Sequence, residues 1–380
     1  MIDRRQLIAS ALWTPLLSLA GMGENRFVFV VLRGGMDGLS AAPVPGDPAF
    51  AEARGALANF GAAPLPLEGP FALHPLLPQL HAMYGRGELA VVHATGLPYK
   101  ERSHFDAQQV LESGGQRPYE LSTGWIGRAL EGRRAVALET AVPLVLRGAT
   151  AVDTWAPSFM PDPSADLVTR LQAMYRGDEA LSSALERARS LHADPAMASA
   201  ESPGGGRNNA LLLARQAAEF LQRGAQVAVL ELGGWDSHAN QAAPQGALSN
   251  NLRTLDAMLG ALRDGLQSSG TWQRTAMLVA TEFGREVAIN GTQGTDHGSG
   301  GVAFVLGGAV KGGRVIADWP GLAKGARFEG RDLRITTDLR AVQRALLEGH
   351  LGVSRAALDD SVLPGSAALP RLDLLRGASA

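Results

Sequence analysis

The sequence predicts an α/β protein in which helices cover both faces of a mostly parallel central sheet, an α/β/α sandwich. Apolar runs at 27–32, 89–94 and 226–231 are typical of strands buried on both faces. Segments with helical apolar periodicity, such as 210–223 and 248–266, alternate with these runs. Several of the runs end directly in glycine-rich loops that carry acidic residues. In open α/β sheets, such strand ends are where binding and catalytic groups usually lie.

Composition excludes several classes of function. The chain has 380 residues, and its 35 Lys plus Arg and 37 Asp plus Glu leave a formal net charge of −2. A nucleic-acid binder that relies on phosphate attraction usually has a basic face, so this balance argues against one. The chain contains no cysteine, which excludes disulfides, thiolate metal sites and cysteine nucleophiles.

The N-terminus has the pattern of a twin-arginine export signal. Arg4 and Arg5 precede a modestly apolar run, 7–22, that Pro15 interrupts. This run is too short and too broken for a stable membrane span. The pattern predicts a periplasmic or secreted protein and the twin-arginine export machinery as a partner. An ordinary amphipathic N-terminal helix is the alternative interpretation.

The remaining chain, 23–380, is interpreted as a single α/β domain with a cap-like insertion at about 113–209. Within that insertion we expect a helix at 125–130, a strand at 143–146, a helix at 166–189 and a flexible loop at 193–209. Towards the C-terminus, 328–335 is expected to form an edge strand. A closing helix at 337–351 would be capped by Asp338.

The region 275–313 carries the densest set of reactive residues. An expected strand at 277–280 leads into the loop Thr281-Glu282-Phe283-Gly284-Arg285. A glycine-rich segment with Asp296 and His297 then precedes another apolar strand at 303–306. Carboxylates and an imidazole at strand ends predict a functional site at this edge of the sheet.

Two earlier loops repeat this arrangement. Asp37 follows the first strand within GGMDG, and Asp236 and His238 follow a later strand within GGWDSH. Aspartate and histidine without cysteine suit zinc, manganese or another borderline-to-hard divalent ion. For Asp37, capping of the next helix is an equally good interpretation.

Ser103 is expected at the start of the helix that follows the strand at 89–94. Asp106, three residues further on, would serve in a capping-box-like role. A hydroxyl at a helix N-terminus lies in positive potential that favours an oxyanion and attracts phosphate or sulfate. Ser103 is therefore either a helix cap or a candidate nucleophile.

Several contiguous motifs resemble the bacterial "domain of unknown function 1501" family over nearly the whole chain. They are the paired arginines and the segments LRGGMDGLS, RSHFDAQ, LGGWDSHANQ, TEFGRE and NGTQGTDHG. The family's fold is thought to be similar to that of the alkaline phosphatase and sulfatase superfamily. The resemblance therefore implies an alkaline-phosphatase-like sandwich and a metal-dependent active site.

The resemblance also implies roles for individual residues. Asp37 looks like an aspartate that ligates a metal, Ser103 like the hydroxyl nucleophile and Asp236 like the ligand of the other metal. His297 falls where a late metal-ligating histidine is found.

The sequence departs from the superfamily pattern at two places. His238 is two residues from Asp236 rather than four, and Glu282-Phe283 stands where the superfamily usually has Asp-His. His104 or Asp296 would have to complete the coordination; otherwise one metal site would be weak or absent.

These observations lead to an exported hydrolase of phosphate or sulfate esters, acting on a small-molecule or polymer substrate. Its cofactor would be one or two divalent ions of zinc, manganese or calcium, and Ser103 or a metal-bound water would be the nucleophile. Arg102 or Arg285 would bind substrate oxygens, although Arg285 is equally well explained as a partner of Glu282 or Glu286. The expected metal ligands are Asp37, His104, Asp236, His238, Glu282, Asp296 and His297.

A second hypothesis belongs to another class of protein. The chain would be a non-catalytic exported binding protein on a degenerate hydrolase fold. The substitution of Glu282-Phe283 for Asp-His favours it.

Overall fold

A computed structural model of the protein describes residues 25–157, 163–192 and 206–377. The expected export segment at 1–22 and most of the loop at 193–209 lie outside these residues. The described part of the chain forms a nine-stranded sheet in the order β10-β4-β9-β8-β1-β7-β5-β6, with β11 also paired to β4, and a separate two-stranded sheet of β2 and β3. The strands are β1 Arg26–Leu32, β2 Leu65–Pro66, β3 Ala72–Leu73, β4 Leu89–Gly96, β5 Ala135–Ala137, β6 Asp153–Thr154, β7 Val227–Leu232, β8 Thr275–Thr281, β9 Gly301–Leu306, β10 Arg314–Ile316 and β11 Thr337–Asp338.

Strand β1 is central and fully buried along its length, as the continuous apolar run predicts. It pairs in parallel with β7 on one side and β8 on the other. Strand β9 is antiparallel to both β8 and β4, while β10 and β11 are parallel to β4. The prediction of an α/β protein with a mostly parallel sheet is confirmed.

Helices cover both faces of the sheet and make it an α/β/α sandwich. Side chains of β1 alternate between the layers: Val28 and Val30 pack in one apolar core, and Phe27 and Phe29 in the other. The first core includes side chains of helices α3, α8 and α9, and the second includes those of α4, α5 and α10. The helices are α1 Gly38–Ala41, α2 Phe50–Arg54, α3 Pro78–Gly85, α4 His104–Ser113, α5 Trp125–Ala129, α6 Ala165–Tyr175, α7 Glu179–His192, α8 Gly206–Gln222, α9 Ala247–Ser268, α10 Leu339–Gly349 and α11 Arg355–Ala357.

Three local predictions are wrong. Residues 144–146 form a single 3-10 turn, whose following residue, Arg147, accepts a hydrogen bond from Gly124 N. Residues 328–335 form no strand, because Phe328 and Asp332 pair with each other in a tight turn. The helix expected at 166–189 is interrupted around Gly177, where glycine disfavours helix, and is two helices. The closing helix is present, and Asp338 caps it through Arg340 N.

The first part of the predicted insertion is integral to the sandwich. Strand β5 pairs in parallel with β7, and β6 pairs with β5, so both extend the main sheet at one edge. Helices α6 and α7 contact each other, and α6 has no buried residue. Among the described residues, no helix combines the length and apolar character needed to cross a bilayer.

Two buried histidines predict a specific dependence of stability on pH. His93 Nε2 donates to Ala42 O at 2.8 Å and its Nδ1 accepts from Ala94 N at 2.9 Å, so the neutral ring is fully paired. Burial lowers the pKa of His93 to about 4, and that of His350 likewise. The unfolded chain, with a histidine pKa near 6.5, therefore binds more protons than the folded chain at intermediate pH.

We expect the free energy of unfolding to be highest above the unfolded pKa and to fall as pH decreases towards 4. Each histidine contributes a slope of up to about 1.4 kcal/mol per pH unit. His93→Gln should reduce this slope in urea titrations between about pH 7 and pH 5. His81→Gln, at a site where the ring reaches only Pro66 O, serves as the control. An unchanged slope in the His93 variant would contradict the assignment.

Candidate metal centre

The strand register brings three loops to one edge of the sheet. Leu32 at the end of β1 lies opposite Leu232 of β7 and Thr281 of β8. The loops that follow these strands therefore start side by side. Gly34 has φ +119°, and a Cβ there would lie 2.5 Å from Asp236 N, so only glycine allows this approach of two loops.

The antiparallel strand β9 adds a further stretch to the same edge. Because β9 runs opposite to β8, the connection between them begins and ends at the carboxyl end of β8, and it carries Asp296 and His297. Strand β4 is antiparallel to β9, so it ends at this edge too. Helix α4 begins just after β4, with His104 as its first residue.

Three imidazoles and one carboxylate converge at this point. His297 Nε2 lies 3.0 Å from His104 Nε2 and 3.0 Å from His238 Nε2. Asp236 Oδ1 lies 2.9 Å from His238 Nε2 and 3.2 Å from His297 Nε2, and Asp236 Oδ2 lies 3.4 Å from His104 Nε2. His104, Asp236 and His297 form a group whose atoms suit a metal ion. We call the four residues the His3Asp cluster.

Each imidazole is held from behind by an acceptor. His104 Nδ1 donates to Glu282 Oε1 at 2.7 Å, and His297 Nδ1 donates to the carbonyl of Arg102 at 3.0 Å. His238 Nδ1 donates to Asp296 Oδ1 at 3.2 Å. These bonds place the proton of each neutral ring on Nδ1, so the converging Nε2 atoms present lone pairs.

The electrostatics favour the ligating forms of Asp236 and His297, whereas His104 is shifted towards its protonated form. Burial opposes ionisation of Asp236, but the hydrogen bond and charge of Arg285 outweigh it and lower its pKa to about 2. Burial, followed by the nearby charges of His104 and Arg285, lowers the pKa of His297. The hydrogen bond to Glu282 raises the pKa of His104. Asp236 is therefore an anion at neutral pH and His297 a neutral ring.

Glu282 and Asp296 support the cluster and lie outside it. Glu282 is fully buried, and Oε1 accepts from Gly34 N, His104 Nδ1 and Gln108 Nε2, while Oε2 accepts from Thr281 Oγ1. Asp296 Oδ1 also accepts from Asn290 Nδ2 at 3.1 Å. Each carboxylate orients an imidazole of the cluster by accepting a hydrogen bond from its Nδ1, and neither contacts the converging Nε2 atoms directly.

Arg285 and Arg102, the expected substrate-binding arginines, are both hydrogen-bonded to protein groups. Arg285 is buried, and its guanidinium donates to Asp236 Oδ1 at 2.6 Å. It also donates to four backbone carbonyls, those of Gly34, Gly35, Trp235 and Thr295. Its carboxylate partner is therefore Asp236 instead of Glu282 or Glu286. Arg102 pairs with Asp332 at 2.8 Å and Glu329 at 2.6 Å.

Asp37 does not join the cluster, contrary to the expectation from its motif. It is the N-cap of α1, where Oδ1 accepts from Leu39 N and Ser40 N. Its Oδ2 accepts from Ser40 Oγ at 2.7 Å and pairs closely with Arg54 and Gln241. Burial opposes ionisation, but the charge of Arg54 prevails and lowers the pKa of Asp37. The capping interpretation of this residue is correct.

Ser103 occupies the N-cap position of α4 but caps nothing with its side chain. Asp106, expected to complete a capping box, instead accepts from the Tyr99 hydroxyl at 3.1 Å. No described contact joins Ser103 to the His3Asp cluster.

The sequence interpretation missed the side chains that fix the outer acceptors. Gln108 lies four residues after His104, so both project from one face of α4 towards Glu282. That spacing is visible in the sequence and could have identified Gln108. Asn290 bonds Asp296 and the carbonyl of His238, and it lies in a loop where no periodic spacing points to it.

The fold and the cluster together define an α/β/α protein with an imidazole–carboxylate centre at the carboxyl edge of its sheet. The chain belongs to the family described as "Protein of unknown function (DUF1501)", whose model matches residues 82–354. No curated protein gives a significant match to the sequence.

Solved structures with a related fold are distant in sequence. PsFucS1 sulfatase from Pseudoalteromonas sp. is 13% identical over 98% of this chain and 75% of that chain, with a TM-score of 0.47. The phosphonate monoester hydrolase of Agrobacterium radiobacter is 12% identical over 87% and 74%, with a TM-score of 0.44. A protein in the alkaline phosphatase superfamily from Vibrio parahaemolyticus is 12% identical over 74% and 60%, with a TM-score of 0.37.

The contacts of Arg285 predict that it is a major determinant of stability. Arg285→Met leaves several buried carbonyls and Asp236 without their donor, which should cost about 3–5 kcal/mol in the free energy of unfolding. The control is Arg170→Met, whose side chain is 74% exposed and pairs with Asp166 within α6. That variant should change stability by about 0.5 kcal/mol or less. Equal denaturation midpoints for the two variants would refute the role assigned to Arg285.

Proposed function

We propose that the His3Asp cluster binds one divalent metal ion through His104, His238, His297 and Asp236. The observation that carries the proposal is the convergence of Nε2 lone pairs at 3.0 Å, with each Nδ1 proton held by an outer acceptor. Lone pairs at that distance repel each other unless a proton or a metal cation lies between them, and one metal ion would satisfy all of the converging atoms at once. Tetrahedral zinc with Zn–N distances of about 2.0–2.1 Å separates its ligand atoms by about 3.3 Å, close to the spacings observed.

The proposal is limited to one ion because the other expected ligands are used elsewhere. Asp37 is neutralised by Arg54, and Glu282 is directed at His104 and backbone donors. Neither carboxylate has an oxygen directed to a second position near the cluster in the described structure. Among the metals considered, the predominance of imidazole favours zinc over manganese and calcium, which prefer oxygen ligands.

We infer that the protein is a metal-dependent hydrolase of phosphate or sulfate esters. A divalent ion in the cluster would supply Lewis acidity by taking a water or an ester oxygen as a fifth ligand, which would polarise the ester and lower the pKa of the water. Asp236 and His238 are 45% and 44% exposed, so substrate can approach from their side. The resemblance of the loop motifs to the alkaline phosphatase and sulfatase superfamily supports this substrate class.

Within this proposal the chain's own residues have defined tasks. Arg285 holds Asp236 as an oriented anion, and Glu282, Asp296 and the Arg102 carbonyl orient the imidazoles. Water, rather than Ser103, is the proposed nucleophile. The reason is that no described contact joins the Ser103 hydroxyl to the cluster or to a base among the described residues.

A second candidate is a non-catalytic binding protein that keeps one structural ion. The observation that favours it is the saturation of Arg102 and Arg285 by protein partners, which leaves neither guanidinium to bind a substrate oxyanion.

In both cases we propose that residues 1–22 direct twin-arginine export to the periplasm or beyond. Replacement of Arg4 and Arg5 by lysine should retain the protein in the cytoplasm in cell fractionation.

The metal proposal predicts about one equivalent of a divalent ion in the purified protein. Elemental analysis should find zinc foremost, and Asp236→Ala combined with His297→Ala should lose it because two of the four ligands are removed. Asp264→Asn, on the exposed surface of α9, should retain the ion. A well-folded, metal-free protein that also fails to bind added zinc, manganese or calcium would refute the proposal.

The metal-support role of Glu282 is tested separately. Glu282→Gln keeps the size of the side chain but weakens its hold on His104 Nδ1, and metal affinity should fall about 10–100-fold. Competition with a fluorescent zinc chelator measures this change. Asp264→Asn again provides the matched control, and identical affinities in the two variants would exclude the outer role of Glu282.

The hydrolase proposal predicts turnover of activated esters that depends on the ion. The metal-loaded protein should hydrolyse 4-nitrophenyl phosphate, bis(4-nitrophenyl) phosphate or 4-nitrophenyl sulfate, and the double variant should not. Ser103→Ala should keep kcat within about tenfold, whereas loss of a true nucleophile costs on the order of 10³ or more. Metal binding without any turnover would leave the binding protein as the better interpretation.

A further inference from the structure

We propose a second ligand site in this protein, a cleft that binds a small organic anion with an apolar body. The cleft has a volume of about 530 Å³, within the usual range for small-molecule sites. It lies where the loop after α2, the start of the segment leading into α3, and the N-terminal part of α9 meet. Its lining comprises Ser40, Leu57, Asn59, Phe60, Gly61, Ala62, His74, Pro75, Leu76, Gln241, Ala242, Pro244, Leu248, Ser249 and Arg253.

The charge of this lining is one-sided. Arg253 is its charged residue, and no aspartate or glutamate is among the described residues that line the cleft. The nearest carboxylate that acts on the cleft is Asp37, which influences His74 through space but is paired with the buried Arg54. A ligand with a negative group therefore meets a cation without a competing anion.

His74 supplies a hydrogen-bond donor of fixed tautomer. Its Nδ1 accepts from Leu76 N at 3.1 Å, so the proton of the neutral ring lies on Nε2. The residue is 7% exposed, and the described structure records no partner for Nε2. Burial, followed by the charge of Arg253, lowers the pKa of His74 to about 4, which keeps the ring neutral near pH 7. An N–H without a protein partner at the wall of the cleft is available to a ligand or to solvent.

Arg253 and Asn59 offer further donors. Arg253 Nη1 donates to Asn250 Oδ1 at 3.2 Å, which leaves other guanidinium N–H groups for a ligand. Asn59 Oδ1 accepts from Gly61 N at 3.1 Å, so its amide NH2 group remains as a donor. The planar guanidinium is suited to bind two oxygens of a carboxylate or phosphate at once.

Much of the remaining lining is apolar. Leu57, Leu248, Leu76 and the ring of Phe60 contribute to it, and Phe60 contacts the His74 ring edge-on with 5.1 Å between centroids. An inorganic anion would leave these apolar side chains exposed to water. The combination of clustered donors and apolar walls fits a carboxylate attached to an aliphatic or aromatic body better.

The cleft is separate from the His3Asp cluster, so the inference is independent of the proposed hydrolase activity. Gln241 lines the cleft, and its amide donates to Asp37 and accepts from Thr295 Oγ1 at 2.8 Å. Thr295 directly precedes Asp296 and His297 in the chain. Gln241 therefore lies between the cleft and the loop that carries part of the metal centre.

Benzoate is a suitable probe, and benzamide is its neutral counterpart of the same shape. Protein-observed NMR or calorimetry should detect benzoate binding at millimolar concentration or below, with benzamide and inorganic phosphate at least about tenfold weaker. Arg253→Gln should abolish benzoate binding, and His74→Phe should weaken it. Arg170→Gln, on the exposed face of α6, is the control and should bind as the wild type does.

Binding at the metal centre is excluded by repeating the titration with the Asp236→Ala, His297→Ala variant. Benzoate affinity that persists there and is lost with Arg253→Gln supports the cleft. The inference is overturned if benzoate does not bind the wild type, if benzamide binds equally well, or if binding disappears with the metal ligands. Unchanged binding in a folded Arg253→Gln protein would also overturn it.

Discussion

The buried guanidinium of Arg285 holds together the loops on which the site depends. It donates to carbonyls of the loops after β1 and β7, to Thr295 and to the Asp236 carboxylate. These segments are distant in sequence and meet only because β1, β7 and β8 end in register. A planar donor with several N–H groups can satisfy such a set of carbonyls simultaneously, which an ammonium cannot do in one plane.

The carboxylates outside the His3Asp cluster explain why the described residues form one cluster of candidate ligands. Two carboxylates that the motifs suggested as metal ligands instead bind protein groups. Asp37 caps a helix and pairs with Arg54, and Glu282 positions His104. Phe283 packs its ring against His104 and His297, with centroids 4.7 and 5.1 Å away, and contributes no donor atom. Glu282 and Phe283 thus contribute orientation and packing to the cluster.

The general architecture could be predicted because it follows from local sequence properties. Buried strands give continuous apolar runs, and the glycine-flanked acids at their ends indicate which edge carries the chemistry. The same signals pointed to Asp236, His238 and His297, whereas His104 was suggested only as a residue that could complete the coordination implied by the family resemblance. Which carboxylates face the cluster could not be deduced, because that depends on partners such as Arg54 and Arg285 from distant parts of the chain.

The irregular parts were predicted least well for the same reason. Strands were expected at 143–146 and 328–335, yet these segments form tight turns with hydrogen bonds inside each turn and to neighbouring loops. The role of Gln108 was accessible from helical spacing, whereas Asn290 acts from a loop. Local periodicity carries information about regular elements and little about loops that tertiary contacts shape.

The four residues of the His3Asp cluster come from widely separated positions, so the unfolded chain contains no assembled site. Any ion that the cluster takes up has to bind after the sheet has formed and its loops have closed around Arg285. Under the proposed twin-arginine export of the folded chain, this order would separate the place of loading from the place of action. The ion it carries would then reflect the metals available in the compartment where the chain folds.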